Sequence, residues 1–169
     1  YAGVPASYVA TMRARETEML QRADVVIVTA PALFESKSRV SSNVHLVPNA
    51  VDYAGFQRIL ASAPPLPVMD ALPRPVIGYV GAINDKLDYR LLVAMARSRP
   101  DWSLAMVGRV ALQTQDDIAA CEELRRLPNV YFLGQAPVAD VPRYMAACQV
   151  CLLPYKINER TRNISSLKL

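Results

Sequence analysis

The sequence has one histidine, His45, and three cysteines, Cys121, Cys148 and Cys151, in 169 residues. It contains no His-Glu-x-x-His pair, no Gly-x-Ser-x-Gly elbow, no P-loop and no carboxylate pair that stands out, so the common marks of zinc hydrolases, serine hydrolases and P-loop nucleotide triphosphatases are missing. His45 precedes Leu46-Val47-Pro48 and reads as an edge or surface residue rather than a base. No apolar run approaches the roughly 20 residues of a membrane span, and no basic-then-apolar segment opens the chain. Stripes of Arg or Lys interleaved with aromatics are also absent, which argues against a nucleic-acid partner. A cytoplasmic protein with reduced thiols and no metal is expected.

Cys148-Gln149-Val150-Cys151 has the two-residue spacing of redox and zinc sites. Redox pairs of that kind sit where a strand opens into a helix, whereas this one falls where a helix ends and a strand begins, and His45 is far away in sequence. The pair is therefore read as core thiols.

Composition suits a packed core, with 52% hydrophobic and 20% charged residues. Short apolar runs recur at 25–29, 44–47, 76–80, 102–107, 130–133 and 150–153, rich in Val, Leu and Ile without polar alternation. Such runs suit strands buried on both faces. Helix-patterned stretches separate them. Val141, Tyr144, Met145 and Cys148 follow the i, i+3, i+4, i+7 spacing, and Thr114 with Asp117 resembles a capping box opening a helix through Cys121 to Arg126. The fold class is α/β, with doubly wound, Rossmann-like parallel sheets.

Pro64, Pro65, Pro67, Pro73 and Pro75 mark residues 61–75 as a linker. Residues 1–60 then hold two strands and their helices, too few for a doubly wound domain, and 76–169 hold four βα units cut off after the fourth strand. The chain starts at Tyr1 and stops as a loop and helix begin, so it is expected to be a piece of a larger enzyme, inactive by itself. Strands 25–29 and 44–47 need partners and a covering layer, and self-association of the fragment is expected to follow.

In an open parallel sheet the working loops lie at the carboxyl ends of the strands. Here those loops are 81–88, 108–112, 134–137 and 155–169, and three of the four begin with glycine: Gly81, Gly108 and Gly134. Glycine there lets a ligand approach the backbone and leaves amides free for phosphate oxygens. Gly78-Tyr79-Val80-Gly81-Ala82 lacks the third glycine of a dinucleotide fingerprint. Lys156, Arg160, Arg162 and Lys168, against Glu159, make the end of the chain basic, which suits either a phosphate-bearing ligand or a solvated terminus.

Val44-His45-Leu46-Val47-Pro48-Asn49-Ala50-Val51-Asp52 with Phe56 resembles the segment that closes the N-terminal domain of group 1 glycosyltransferases of the GT-B fold. Val76–Val80 with Gly81-Ala82-Ile83, then Leu104-Ala105-Met106-Val107-Gly108, then Leu127-Pro128-Asn129-Val130-Tyr131-Phe132-Leu133-Gly134, then 150–154 resemble the successive strands of that family's C-terminal domain. Ser165-Ser166-Leu167-Lys168-Leu169 is similar to the residues just before its Glu-bearing helix.

The resemblance implies a GT-B two-domain architecture present only in part. Residues 1–60 would be the end of the acceptor-side domain and 76–169 the donor-side domain. The substrate would be a UDP- or GDP-linked sugar, with no cofactor and no metal, and the acceptor a glycan or lipid-linked glycan, with peripheral contact at the inner membrane face. Gly81, Ala82, Lys86, Gly108 and Arg109 would meet the donor from the first two loops. Leu133, Gly134, Tyr155, Ser166 and Lys168 would meet it from the others. Ala82 stands where many members have Arg, Leu87 follows Lys86 where they have Gly, and Asn163 stands at the place of the first Glu. Catalytic residues are left unassigned. A non-enzymatic Rossmann-like binding module and a GT-B-fold sugar-nucleotide epimerase remain alternatives.

Overall fold

The computed structural model describes residues 5–62, 64, 66–158, 161 and 164. They fall into two compact units, one of residues 5–51 with those from 157 onward, the other of residues 52–156.

The first unit contains α1 (Ala6–Arg22), β1 (Val26–Val28), α2 (Pro31–Lys37) and β2 (Val44–Leu46). Pro31 opens α2 at its first turn, where a missing N–H costs nothing. The two strands pair in parallel, with Val26 opposite Val44 and Val28 opposite Leu46. Both are shorter than the apolar runs that contain them. Val28, Ala30 and Val44 are buried, yet Ile27 is 65% exposed and Val25, Leu46 and Val47 are also exposed.

The second unit opens with α3 (Tyr53–Ser62), which packs against α7 (Val141–Ala146). Asp52 caps α3, its carboxylate accepting from the Gly55 amide at 2.8 Å. Within the proline-rich stretch, α4 (Pro67–Asp70) turns Met69 inward until none of it is exposed. Four strands follow, β3 (Val76–Val80), β5 (Ser103–Val107), β7 (Val130–Gly134) and β8 (Val150–Cys151), in the spatial order β7-β5-β3-β8, every pair parallel. β8 stops two residues earlier than its apolar run. The Leu152 amide still donates to Gly78 at 2.7 Å, but Pro154 has no N–H with which to continue. A second, two-residue ladder pairs β4 (Ile83–Asn84) with β6 (Val110–Ala111), which no apolar run announced.

α5 (Tyr89–Ser98) and α6 (Gln115–Arg125) cover one face over Tyr79, Leu92, Leu104, Met106, Cys121 and Leu124. Met69, Leu72, Val76 and Ala105 pack on the other with Tyr144 and Cys148. Burial on both faces explains the lack of polar alternation in these strands. Thr114 caps α6 as its spacing predicts, its hydroxyl accepting from the Asp117 amide at 3.2 Å. Asn129 sends its amide nitrogen to the carbonyls of Ala96, Arg99 and Trp102 at 3.0–3.1 Å, closing the turn between α5 and β5.

Of the thiols, Cys121 is buried as expected. Cys148 is half-buried and packs against the Met69 cluster, in keeping with the core reading, whereas Cys151 is exposed, which corrects it. The reason is position: β8 is an edge strand among the described residues, and Cys151 lies where it ends. Among the described residues no helix is long and apolar enough to cross a membrane.

Candidate functional site at the carboxyl edge of the sheet

The sheet brings Gly81, Gly108 and Gly134 to one edge, at the ends of β3, β5 and β7. All three have positive φ, at 150°, 147° and 75°. They also bond across neighbouring strands: the Gly81 amide donates to Val107 at 2.8 Å and the Gly108 amide to Gly134 at 2.7 Å. The expectation that glycine amides stand free for phosphate therefore fails at Gly81 and Gly108, because the ladder consumes them.

A pocket of about 310 Å³ lies over the ends of β5 and β7, lined by Gly108, Arg109, Val110, Arg125, Phe132, Gly134 and Gln135. Arg109 is exposed at its rim. Arg125, from the last turn of α6, lays its guanidinium over the Phe132 ring at 4.1 Å from the centroid. Two cations and an aromatic face thus meet beside two of the glycine turns. Glu122 lies 3.6 Å from Arg125 and offsets part of that charge.

Chain order adds a second location. The strands run outward from β3 through β5 to β7 and then return to the far side of β3, so the switch of direction falls between β3 and β8. Backbone fills that crevice. Leu87 and Tyr155 form an antiparallel bridge, the Asp88 amide donates to Pro154 and the Lys156 amide to Lys86, each at 2.8 Å. Lys156 also reaches α6, its Nζ 2.6 and 2.7 Å from the two carboxylate oxygens of buried Asp117. Beneath it, Tyr79 donates to the Ala82 carbonyl at 2.9 Å, and burial followed by the neighbouring Tyr155 pushes its hydroxyl well above the usual tyrosine range. Among the described residues the crevice between β3 and β8 is thus a packed joint, while a pocket stands open over β5 and β7.

Of the residues expected to meet a ligand, Gly108, Arg109 and Gly134 line the pocket. Gly81 lies directly behind Gly108. Ala82 is exposed, its amide nitrogen beside Gly108 and its carbonyl taken by Tyr79. Tyr155 and the backbone of Lys86 belong to the packed joint, and Leu133 points to the opposite core with Met69. Ser166 and Lys168 lie outside the described residues. Sequence reading missed Arg125 and Phe132 as ligand residues, and did not single out Val110 and Gln135 within the loops it marked at 108–112 and 134–137. The one available signal was that Phe132 shares strand parity with Val130, which faces α6.

A family model described as glycosyl transferases group 1 matches residues 74–167, more than half of the chain. The putative teichuronic acid biosynthesis glycosyltransferase TuaH of Bacillus subtilis (strain 168) is 31% identical over 162 residues, covering 94% of this chain. This chain spans 40% of the length of that protein. The crystal structure of Anabaena HepE in complex with UDP and glucose superposes with a TM-score of 0.62 at 19% identity, over 83% of this chain and 41% of that one. That likeness establishes the Rossmann-like α/β fold.

Proposed function

Because the chain belongs to the group 1 glycosyltransferases, we propose that its second unit holds the donor of an enzyme that moves a sugar from a UDP- or GDP-linked donor to a glycan or lipid-linked acceptor in polysaccharide biosynthesis. The observation that carries this reading is the pocket at Gly108 and Gly134, where Arg109 and the Arg125–Phe132 stack stand beside turns without side chains. A nucleoside diphosphate asks for cationic charge for its phosphates and a flat apolar surface for its base. Both lie within one cavity. The name of the Bacillus relative and the UDP and glucose bound to HepE support the same class of donor and product.

The chemistry follows from where charge develops. As the glycosidic bond to the nucleotide breaks, negative charge grows on the departing diphosphate, and groups fixed in advance around it lower the barrier. With the Gly81 and Gly108 amides engaged in the ladder, that role falls mainly to cationic side chains, Arg109 first. Lys86, Ser166 and Lys168 remain further candidates from the resemblance. The division into an acceptor-side domain before residue 61 and a donor-side domain after 75, together with a peripheral place at the cytoplasmic face of a membrane, belongs to the same proposal.

Calorimetric titration of the full-length protein tests it. UDP or GDP should bind more tightly than uridine or guanosine, and Arg109→Ala should weaken the diphosphate about tenfold, equivalent to about 1.4 kcal/mol, while leaving the nucleoside unchanged. Equal affinity for nucleoside and diphosphate would overturn the reading.

A further inference from the structure

Cys148 and Cys151 take no part in the proposed transfer. They join the end of α7 to β8, with Cys151 paired in register to Gly78 of β3. Cys148 Sγ stands where a side chain on Gly78 would begin, so both cysteines meet beside one residue of β3. Each thiol donates to a carbonyl in the last turn of α7, Cys148 Sγ to Tyr144 at 3.2 Å and Cys151 Sγ to Met145 at 3.6 Å. Gly78 makes the space: a Cβ there would overlap Cys148 Sγ and stand 3.3 Å from Cys148 Cβ. The inner sulfur is therefore seated against the backbone of β3, while the outer one, on Cys151, is exposed. Among the described residues no group of three or more His, Cys, Asp or Glu side chains gathers as a metal would require, so the pair stands as a dithiol.

We infer that Cys148 and Cys151 form a thiol–disulfide exchange site, in which Cys151 attacks a small-molecule disulfide and Cys148 closes the intramolecular bridge. The exposed sulfur meets the reagent and the seated sulfur resolves the adduct. Exposure makes Cys151 the sulfur a reagent reaches first, and the neighbouring Cys148 lowers its thiol to about 7. The neighbouring Cys151, then burial, pushes Cys148 well above the usual range, which keeps it protonated until the second step.

With glutathione disulfide, the Cys151 thiolate attacks one sulfur, the reagent's S–S bond breaks, and one glutathione thiolate leaves. Cys148 then loses its proton to solvent and attacks Cys151 Sγ. The second glutathione leaves as thiolate and takes up a proton. Two protein thiols are oxidised to one disulfide, and one glutathione disulfide is reduced to two thiols.

Trypsin isolates the site. Cleavage after Arg143 and Lys156 releases residues 144–156 with both cysteines, and cleavage after Arg109 and Arg125 releases Cys121 separately. The full-length folded protein is treated with glutathione disulfide, then denatured in N-ethylmaleimide and digested. Peptide 144–156 should be lighter than the reduced form by about 2 Da, carry no maleimide, and regain both thiols after reduction. In Cys148→Ser, Cys151 should keep one glutathione that does not resolve, and in Cys151→Ser, Cys148 should remain unmodified. A wild-type peptide that carries two maleimides, or glutathione without ring closure, overturns the inference whether or not the variants fold.

Discussion

Gly108 packs so closely on Gly81 that a Cβ on it would stand 2.7 Å from the Gly81 carbonyl carbon and closer still to its oxygen. The obstacle is backbone in the adjoining strand and cannot swing aside. Gly134 differs: its φ is +75°, but nothing lies within 4 Å of the place a Cβ would take. Gly108→Ala should therefore cost roughly 3 kcal/mol or more, from overpacking added to backbone strain. Gly134→Ala should cost about 1 kcal/mol from the left-handed conformation alone. Urea unfolding midpoints of the two variants decide this, and equal losses would refute the close approach.

The Asp117–Lys156 pair should matter more than the exposed ion pairs of the unit. Asp117 is 7% exposed, and removing the lysine leaves a buried carboxylate that keeps the Thr114 hydroxyl as a donor, whereas the Arg97–Glu123 pair is mostly in water. Lys156→Met should destabilise by about 2 kcal/mol, below the cost of breaking a fully buried pair because the lysine is itself partly exposed. Arg97→Met should cost about 0.5 kcal/mol. Comparable losses in chemical denaturation would show that Lys156 does not pin the β8 end to α6.

Most of the sheet was legible because its strands are buried on both faces and so read as unbroken Val, Leu and Ile runs; β3 matches its run residue for residue. The Thr114 cap was legible because capping follows a fixed local spacing. What was not legible depends on distant backbone. Nothing local indicates that Gly81 and Gly108 spend their amides on the next strand, or that Asn129 serves three carbonyls some 30 residues upstream. The β4–β6 ladder is two residues a side, too short for a periodic signal. Met69 was hidden by the prolines around it, which read as linker although one turn of helix there faces the core. Arg125 and Phe132 meet only because α6 lies over β7, so the pocket's aromatic wall could not be read from spacing.

The cysteine pair should also give a pH signature. The first proton of the pair leaves near pH 7 in the folded protein, against an ordinary thiol value of 9.0, so between those limits the folded state holds fewer protons than the unfolded one. Stability contributed by Cys151 then rises with pH across that window and is lost as pH falls through about 7. The raised Cys148 acts in the opposite sense, but only above 9. Subtracting the urea midpoints of Cys151→Ser from those of wild type at several pH values isolates the effect. A flat difference between pH 6.5 and 8.5 would contradict it.

Mapping where the nucleotide sits tests the central claim most directly. Backbone amide shifts of the full-length protein, followed during titration with UDP and with GDP, should move at Gly108, Arg109, Val110, Gly134 and Gln135 for the diphosphate that binds, and should move far less with the matching nucleoside. Shifts confined to residues 5–51, or an unmoved Gly108–Val110 turn at saturating diphosphate, would contradict the assignment of the donor to this pocket.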